Sequence, residues 1–248
     1  MKKAVSILFT ASVTFVLFFC MPVYADWYQN GTTWRFSQGG KDLSNTWVYD
    51  KDNIFYHLDS NGNYDGGKKE FLHSSEGLDK DVLRSAYHSM QDMGYLLEGD
   101  TYFRQALNLI NEEREKSGVA PLVLDYDRSV LASYINANMH KNNYFSHYHT
   151  SETEAECILV ARKLFGDSLS VDAENIHKYW ESSSLGVNVN DAWIRGNIKR
   201  GHESLVESSG HHKNIVNPDY KKVGIGLTVI KNEATNTVYF YYTQEFVH

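Results

Sequence analysis

Cysteine sets the first constraint on this chain. Its 248 residues include two, Cys20 and Cys157, and Cys20 lies inside an apolar leader. Residues 1–25 read as a secretory signal peptide: Lys2 and Lys3 start it, residues 4–19 are largely apolar, and Val23-Tyr24-Ala25 offers a cleavage site. Phe18-Phe19 stand before Cys20 where a lipoprotein peptidase needs small side chains, so lipidation is not expected. An exported chain left with Cys157 alone cannot close an intramolecular disulfide. It must stand on a hydrophobic core, and a composition 42% hydrophobic and 22% charged can supply one. No later run approaches the length of a membrane span. The expectation is a secreted or cell-surface protein with no stable membrane span after signal cleavage.

Charge narrows the partners. Lys2 and Lys3 leave with the leader, so 22 of the 24 Lys and Arg remain against 31 Asp and Glu. So acidic a surface lacks the basic footprint that nucleic acid requires, and no nucleic-acid partner is expected.

Residues 26–67 differ in texture from the rest. The turn dipeptides Asn30-Gly31, Gly39-Gly40 and Asn61-Gly62 separate short aromatic runs, which signals β-hairpins. Trp27 recurs as Trp47, and Trp34-Arg35-Phe36 as Phe55-Tyr56-His57. A repeat of about twenty residues means stacked hairpins. Phe55-Tyr56-His57-Leu58-Asp59-Ser60-Asn61-Gly62 resembles half a unit of the cell-wall-binding, choline-binding-type repeats of Gram-positive surface proteins. That resemblance implies wall binding through Trp27, Trp34, Trp47, Phe55 and Tyr56, whose faces would cage a quaternary ammonium. The implied partner is the cell wall, as peptidoglycan or choline-bearing teichoic acid. The alternative is that these aromatics only pack the hairpins together. Two units, one of them degenerate, are fewer than such arrays usually need.

Residues 68–100 read as a helical connector, with Leu83, Tyr87, Met90 and Tyr95-Leu96 near helical spacing. From residue 101 to 248 the texture is that of a compact domain. Helices are expected from Phe103 to Ser117-Gly118, over 127–142, over 154–165 and over 191–198. Residues 223–229 and 238–246 alternate as β-strands around a turn at 232–236. Helices first and a hairpin last indicate an α+β fold.

Seven of the eleven histidines fall between His140 and His212. Four fragments stand in order: Asn111-Glu112-Glu113-Arg114, Phe145-Ser146-His147, Ala173-Glu174-Asn175-Ile176 and Gly210-His211-His212-Lys213-Asn214-Ile215. In that order they resemble the bacterial, SCP-like extracellular form of the CAP superfamily (cysteine-rich secretory, antigen 5 and pathogenesis-related-1 proteins). The resemblance covers roughly residues 102–248 and implies an α-β-α sandwich whose groove holds His147, Glu174 and His211. Imidazoles and a carboxylate can hold a divalent ion, zinc for instance, with His147 and His211 as ligands. Without metal the same groups exchange protons near neutral pH.

Ala173 and His212 depart from the family's usual Gly and Arg. His149 competes with His147 for the groove position. The family's second carboxylate has no clean counterpart; Glu207 and Glu203 are the candidates, with surface charge the plainer reading of both. His140, His177 and His202 read as partly exposed surface residues, Asn175 as a backbone brace, and Cys157 as a buried, inert thiol. Two functions follow. One is a wall enzyme cleaving peptidoglycan or another wall glycan, with Glu174 as general acid or base and His147 and His211 assisting. The other is a non-catalytic module that binds a wall or host ligand and uses the His/Glu set structurally or for metal.

Overall fold

The computed structural model describes residues 26–38, 40–49, 54–70, 78–95, 100–182 and 187–248. The expected leader lies outside the described residues. Among these, no helix is long and apolar enough to cross a membrane.

The N-terminal segment forms two three-stranded sheets. Strands β1 (Asp26–Asn30), β2 (Thr33–Gln38) and β3 (Lys41–Asp42) make one. Strands β4 (Thr46–Tyr49), β5 (Ile54–Leu58) and β6 (Tyr64–Glu70) make the other, all neighbours antiparallel. Gly62 sits at φ +79°, and a Cβ there would lie 2.8 Å from the Leu43 carbonyl oxygen, so this turn requires glycine. Phe36, Val48 and Leu58 form a small core against which Trp27, Leu43, Tyr56 and Tyr64 pack. Trp27 meets Phe36, Tyr56 and Tyr64 edge to face at 5.3–6.1 Å. Two of the five expected wall-binding aromatics, Trp27 and Tyr56, therefore fill the interior of the segment, while Trp34 is 49% exposed. The side chains of Trp47 and Phe55 lie outside the described residues.

The larger unit is of α+β class. Its sheet has the order β7-β9-β10-β8: β7 (Val123–Leu124), β8 (Ala173–Ser182), β9 (Lys222–Asn232) and β10 (Thr237–Val247). β8 and β9 flank β10 antiparallel, and β7 runs parallel to β9. Helices cover both faces: α1 (Lys80–Asp92), α2 (Tyr102–Lys116), α3 (Tyr126–Lys141), α4 (Glu156–Phe165), α5 (Asp191–Glu207) and α6 (Ser209–Ile215).

Glycines set how closely α3 lies on the sheet. A Cβ on Gly224 or Gly226 would overlap the α3 backbone at Arg128 and Ala132, so side chains are excluded there. The contact is sealed by Ile225 N–H donating to Ser129 Oγ at 2.9 Å. With the sheet beneath it and α1 and α4 beside it, α3 buries residues 128–139 without a break. That is why its apolar stripe is not sharply one-sided. On the opposite face, Gly201 of α5 sits against Tyr242 and His177. The stretch expected to be a connector is helical at α1, and Val82, Leu83, Ala86, Tyr87 and Met90 join the main core. The helix expected over 191–198 runs on to Glu207.

Candidate functional site

The four matched fragments do different jobs. Asn111 and Arg114, on successive turns of α2, are staples. Asn111 accepts from Leu122 N–H at 2.8 Å and donates to the Leu122 carbonyl at 3.0 Å. Arg114 is fully buried, and its guanidinium donates to the carbonyls of Ala120, Ile215, Asn217 and Tyr220 at 2.6–3.3 Å. A planar fork suits this role, because it reaches several acceptors from one charge. Arg114 thereby fixes the end of α6, the helix that carries His211.

His147 arrives on the loop after α3. Glu156 anchors that loop: its backbone N–H donates to the His147 carbonyl at 2.7 Å, and its carboxylate accepts from the Thr150 hydroxyl at 2.7 Å. Glu174 enters from β8, the edge strand, with its side chain 5% exposed. His147 Nδ1 lies 2.5 Å from Glu174 Oε2, and the His147 side chain is 37% exposed. His211 approaches from α6 on the other side of the strand edge, its ring centroid 6.5 Å from that of His147. Asn175 holds it there, donating to the His211 carbonyl at 3.1 Å and to Gln244 at 3.0 Å while accepting from Asn214 at 2.8 Å. Asn175 thus braces the backbone, as its chemistry suggested.

The structure therefore brings His147, Glu174 and His211 together around the edge of β8. His149 is exposed and stacks on Tyr144 at 3.9 Å, so His147 is the histidine that pairs with Glu174. Glu207 and Glu203 are exposed on α5 and supply no second carboxylate. His212 pairs with Glu113 at 3.0 Å. His202 is buried rather than at the surface, and its Nδ1 has no hydrogen-bond partner among the described residues; His177 Nε2 is buried in the same condition.

His147 and His211 are pushed in opposite directions. The hydrogen bond to Glu174 raises the His147 imidazole above its ordinary value, outweighing burial. Burial, and then the neighbouring His147, lower His211.

A carboxylate that the sequence analysis did not weigh, Glu245, lies behind Glu174. It sits on β10 directly across from Glu174 in register and is fully buried. Its signal was local: one acidic side chain in the aromatic run of the last strand, Tyr241-Tyr242-Thr243-Gln244-Glu245-Phe246. Among the described residues, the compact set of three metal-ligating types is Cys157, Glu174 and Glu245, with one ligand atom from each within 4.8 Å of the others. His147 and His211 stand outside that set, with ring centroids 6.5 Å apart and His147 Nδ1 on Glu174. Cys157 is a buried free thiol that burial pushes far up.

The family model described as the cysteine-rich secretory protein (CAP) family matches residues 107–246. Two Bacillus subtilis (strain 168) proteins are similar in sequence. The uncharacterized protein YkwD is 30% identical over 125 residues, 50% of this chain and 42% of YkwD. The uncharacterized membrane protein YlbC is 30% identical over 144 residues, 58% of this chain and 34% of YlbC. This chain thus spans less than half the length of either relative. Among solved structures, an extracellular protein containing an SCP domain from Bacillus anthracis str. Ames aligns with a TM-score of 0.42 at 16% identity. That alignment covers 90% of this chain and 67% of that one. An outer surface protein from Borrelia burgdorferi aligns with a TM-score of 0.39 at 15% identity, covering 58% of this chain and 91% of that one. With the family model spanning more than half of its residues, the chain belongs to the cysteine-rich secretory protein (CAP) family.

Proposed function

We propose that this chain is an exported, wall-associated hydrolase that cleaves peptidoglycan or another wall glycan by proton transfer in the groove. The observation that carries this reading is the pairing of His147, held by Glu174 at 2.5 Å, with His211, whose ring centroid lies 6.5 Å away and whose pKa is pushed the opposite way. Neighbouring titratable groups pushed apart in this way are how a site assigns an acid and a base. His147, hydrogen-bonded to Glu174, serves as general acid, and His211 serves as general base. Glu174 orients and charges His147 instead of meeting substrate, because its side chain is 5% exposed. A two-carboxylate glycosidase mechanism needs both carboxyl groups at the scissile bond, and Glu245 is fully buried. Proton transfer therefore falls to the imidazoles. Export rests on the leader at residues 1–25, and wall association on the aromatic hairpin segment, where Trp34 is the exposed face.

The near-complete burial of Glu174 also favours a second reading, in which the groove binds a wall ligand and the His/Glu pair serves only to shape it. Muropeptide mass spectrometry of purified walls separates the two. The hydrolase predicts new termini from the wild type and none from Glu174→Gln or His211→Ala. Wall binding with no new termini from the wild type overturns the hydrolase and leaves the binding module.

A further inference from the structure

Glu245 is a buried acid that the groove chemistry does not use. None of its surface is exposed, and neither carboxyl oxygen accepts a hydrogen bond from a donor among the described residues. Its cross-strand neighbours are Glu174 on β8 and Gly224 on β9, and the glycine offers no side chain to it. Glu174 has one oxygen on His147 Nδ1 and the other, Oε1, equally without a donor. Two carboxyl groups with three orphan oxygens thus face each other within 4.8 Å in the interior. Two bare carboxylates cannot be held so close in so dry a place; a proton or a cation must join them.

We propose that Glu245 is a protonated carboxylic acid whose O–H donates to the oxygen of Glu174 not engaged by His147. The three side chains then form one chain, imidazolium–carboxylate–carboxylic acid, whose charges sum to zero. Glu245 acts as a positioning residue: it satisfies and aims Glu174, which in turn aims His147 at the groove.

The surroundings place the proton on Glu245. Glu174 already has His147 Nδ1 at 2.5 Å, whereas no cation among the described residues is free to balance Glu245. Arg128 on α3, the positive group that acts on it, is committed to Asp125 at 3.0 Å and to the Ser170 carbonyl at 2.9 Å. Glu156 on α4 is committed to Thr150 and Asn138, and Tyr144 to Asn138. Burial first, and the facing Glu174 next, push the Glu245 carboxyl well above the usual range. Cys157 keeps its proton under the same burial and offers only a weak S–H donor. The inference concerns the resting state and stands whether or not the groove is catalytic.

Infrared difference spectroscopy of the full-length mature protein at neutral pH tests this. The wild type should show the carbonyl stretch of a protonated carboxylic acid, and Glu245→Gln should lack it. Titration of the His147 ring by NMR gives a second readout. Glu245→Gln keeps a donor toward Glu174 and should leave the raised His147 pKa in place. Glu245→Leu removes the donor, leaves His147 as the only hydrogen-bond partner of Glu174 among the described residues and should shift His147 further up. A purely structural role predicts no difference between Gln and Leu. Absence of the band, its survival in Glu245→Gln, or an unshifted His147 in a folded Glu245→Leu variant overturns the proposal. So does calorimetric binding of one zinc ion that Cys157→Ala and Glu245→Gln both abolish. Should Glu245→Leu fail to fold, the band and its loss in the isosteric Gln variant decide alone.

Discussion

Arg114→Met is the substitution with the largest stability effect that the structure allows to be worked out. Methionine keeps most of the buried stem and removes the guanidinium, orphaning four carbonyls. Two of these bonds, to Ala120 and Asn217, are part-buried, and water can reach their carbonyls after a small rearrangement. The other two, to Ile215 and Tyr220, are buried. A buried acceptor left without its donor costs about 1–3 kcal/mol. The expected loss is therefore about 4 kcal/mol, for two deep orphans at about 2 kcal/mol each. Urea unfolding of the mature protein measures it: the midpoint should fall at unchanged m-value. Arg114→Lys keeps the charge but not the fork, and should fall between wild type and Met. The carbonyl of Ile215 ends α6, so the Met variant should also loosen His211, seen as a broadened ring resonance while His147 stays sharp. A loss under about 1 kcal/mol, the level of an ordinary surface substitution, would refute the view that Arg114 staples the loop to α2.

Three further outcomes are expected. Gly226→Ala places a methyl 2.5 Å from the Ala132 carbonyl carbon on rigid helix backbone, so it should destabilise by about 3 kcal/mol, read as a drop in thermal midpoint. The His147–Glu174 pair should make stability depend on pH. Because the folded-state pKa of His147 is raised, its contribution is fully present below the unfolded imidazole value, about 6.5, and is lost as pH rises through the folded value; in Glu174→Gln this slope should vanish from the stability–pH curve, and an unchanged slope would refute the pairing. Trp34→Ala should weaken co-sedimentation with purified walls without changing the fold, whereas Trp27→Ala should melt the hairpin segment's circular-dichroism signature, since Trp27 packs inside it.

Much of this architecture is legible along the chain, for local reasons. The last two strands announce themselves because 222–232 and 237–247 alternate branched and aromatic side chains over a tight turn. Helix starts are legible where a capping side chain stands: Thr101 accepts from Arg104 N–H, and Asp125 from Arg128 N–H. The ordered fragments around His147, Glu174 and His211 are legible, because each is a short piece whose neighbours hold it in place. Strand β8 is not legible. As an edge strand with most side chains half exposed, Ala173–Ser182 carries no apolar alternation.

What tertiary structure alone decided is who meets whom. Glu174 and Glu245 lie seventy-one positions apart, and only the β8–β10 register sets them opposite each other; a slip of one residue would turn Glu245 to the other face. His149 was as eligible as His147 by composition, and the loop anchored by Glu156 chose between them. Glu207 and Glu203 were the candidates for the second carboxylate, and both ended exposed on a helix. Periodicity, caps and turns are encoded by residues a few positions apart. Burial, pairing and proton affinity depend on what the finished fold places across the gap, and no local stretch of sequence contains that distance.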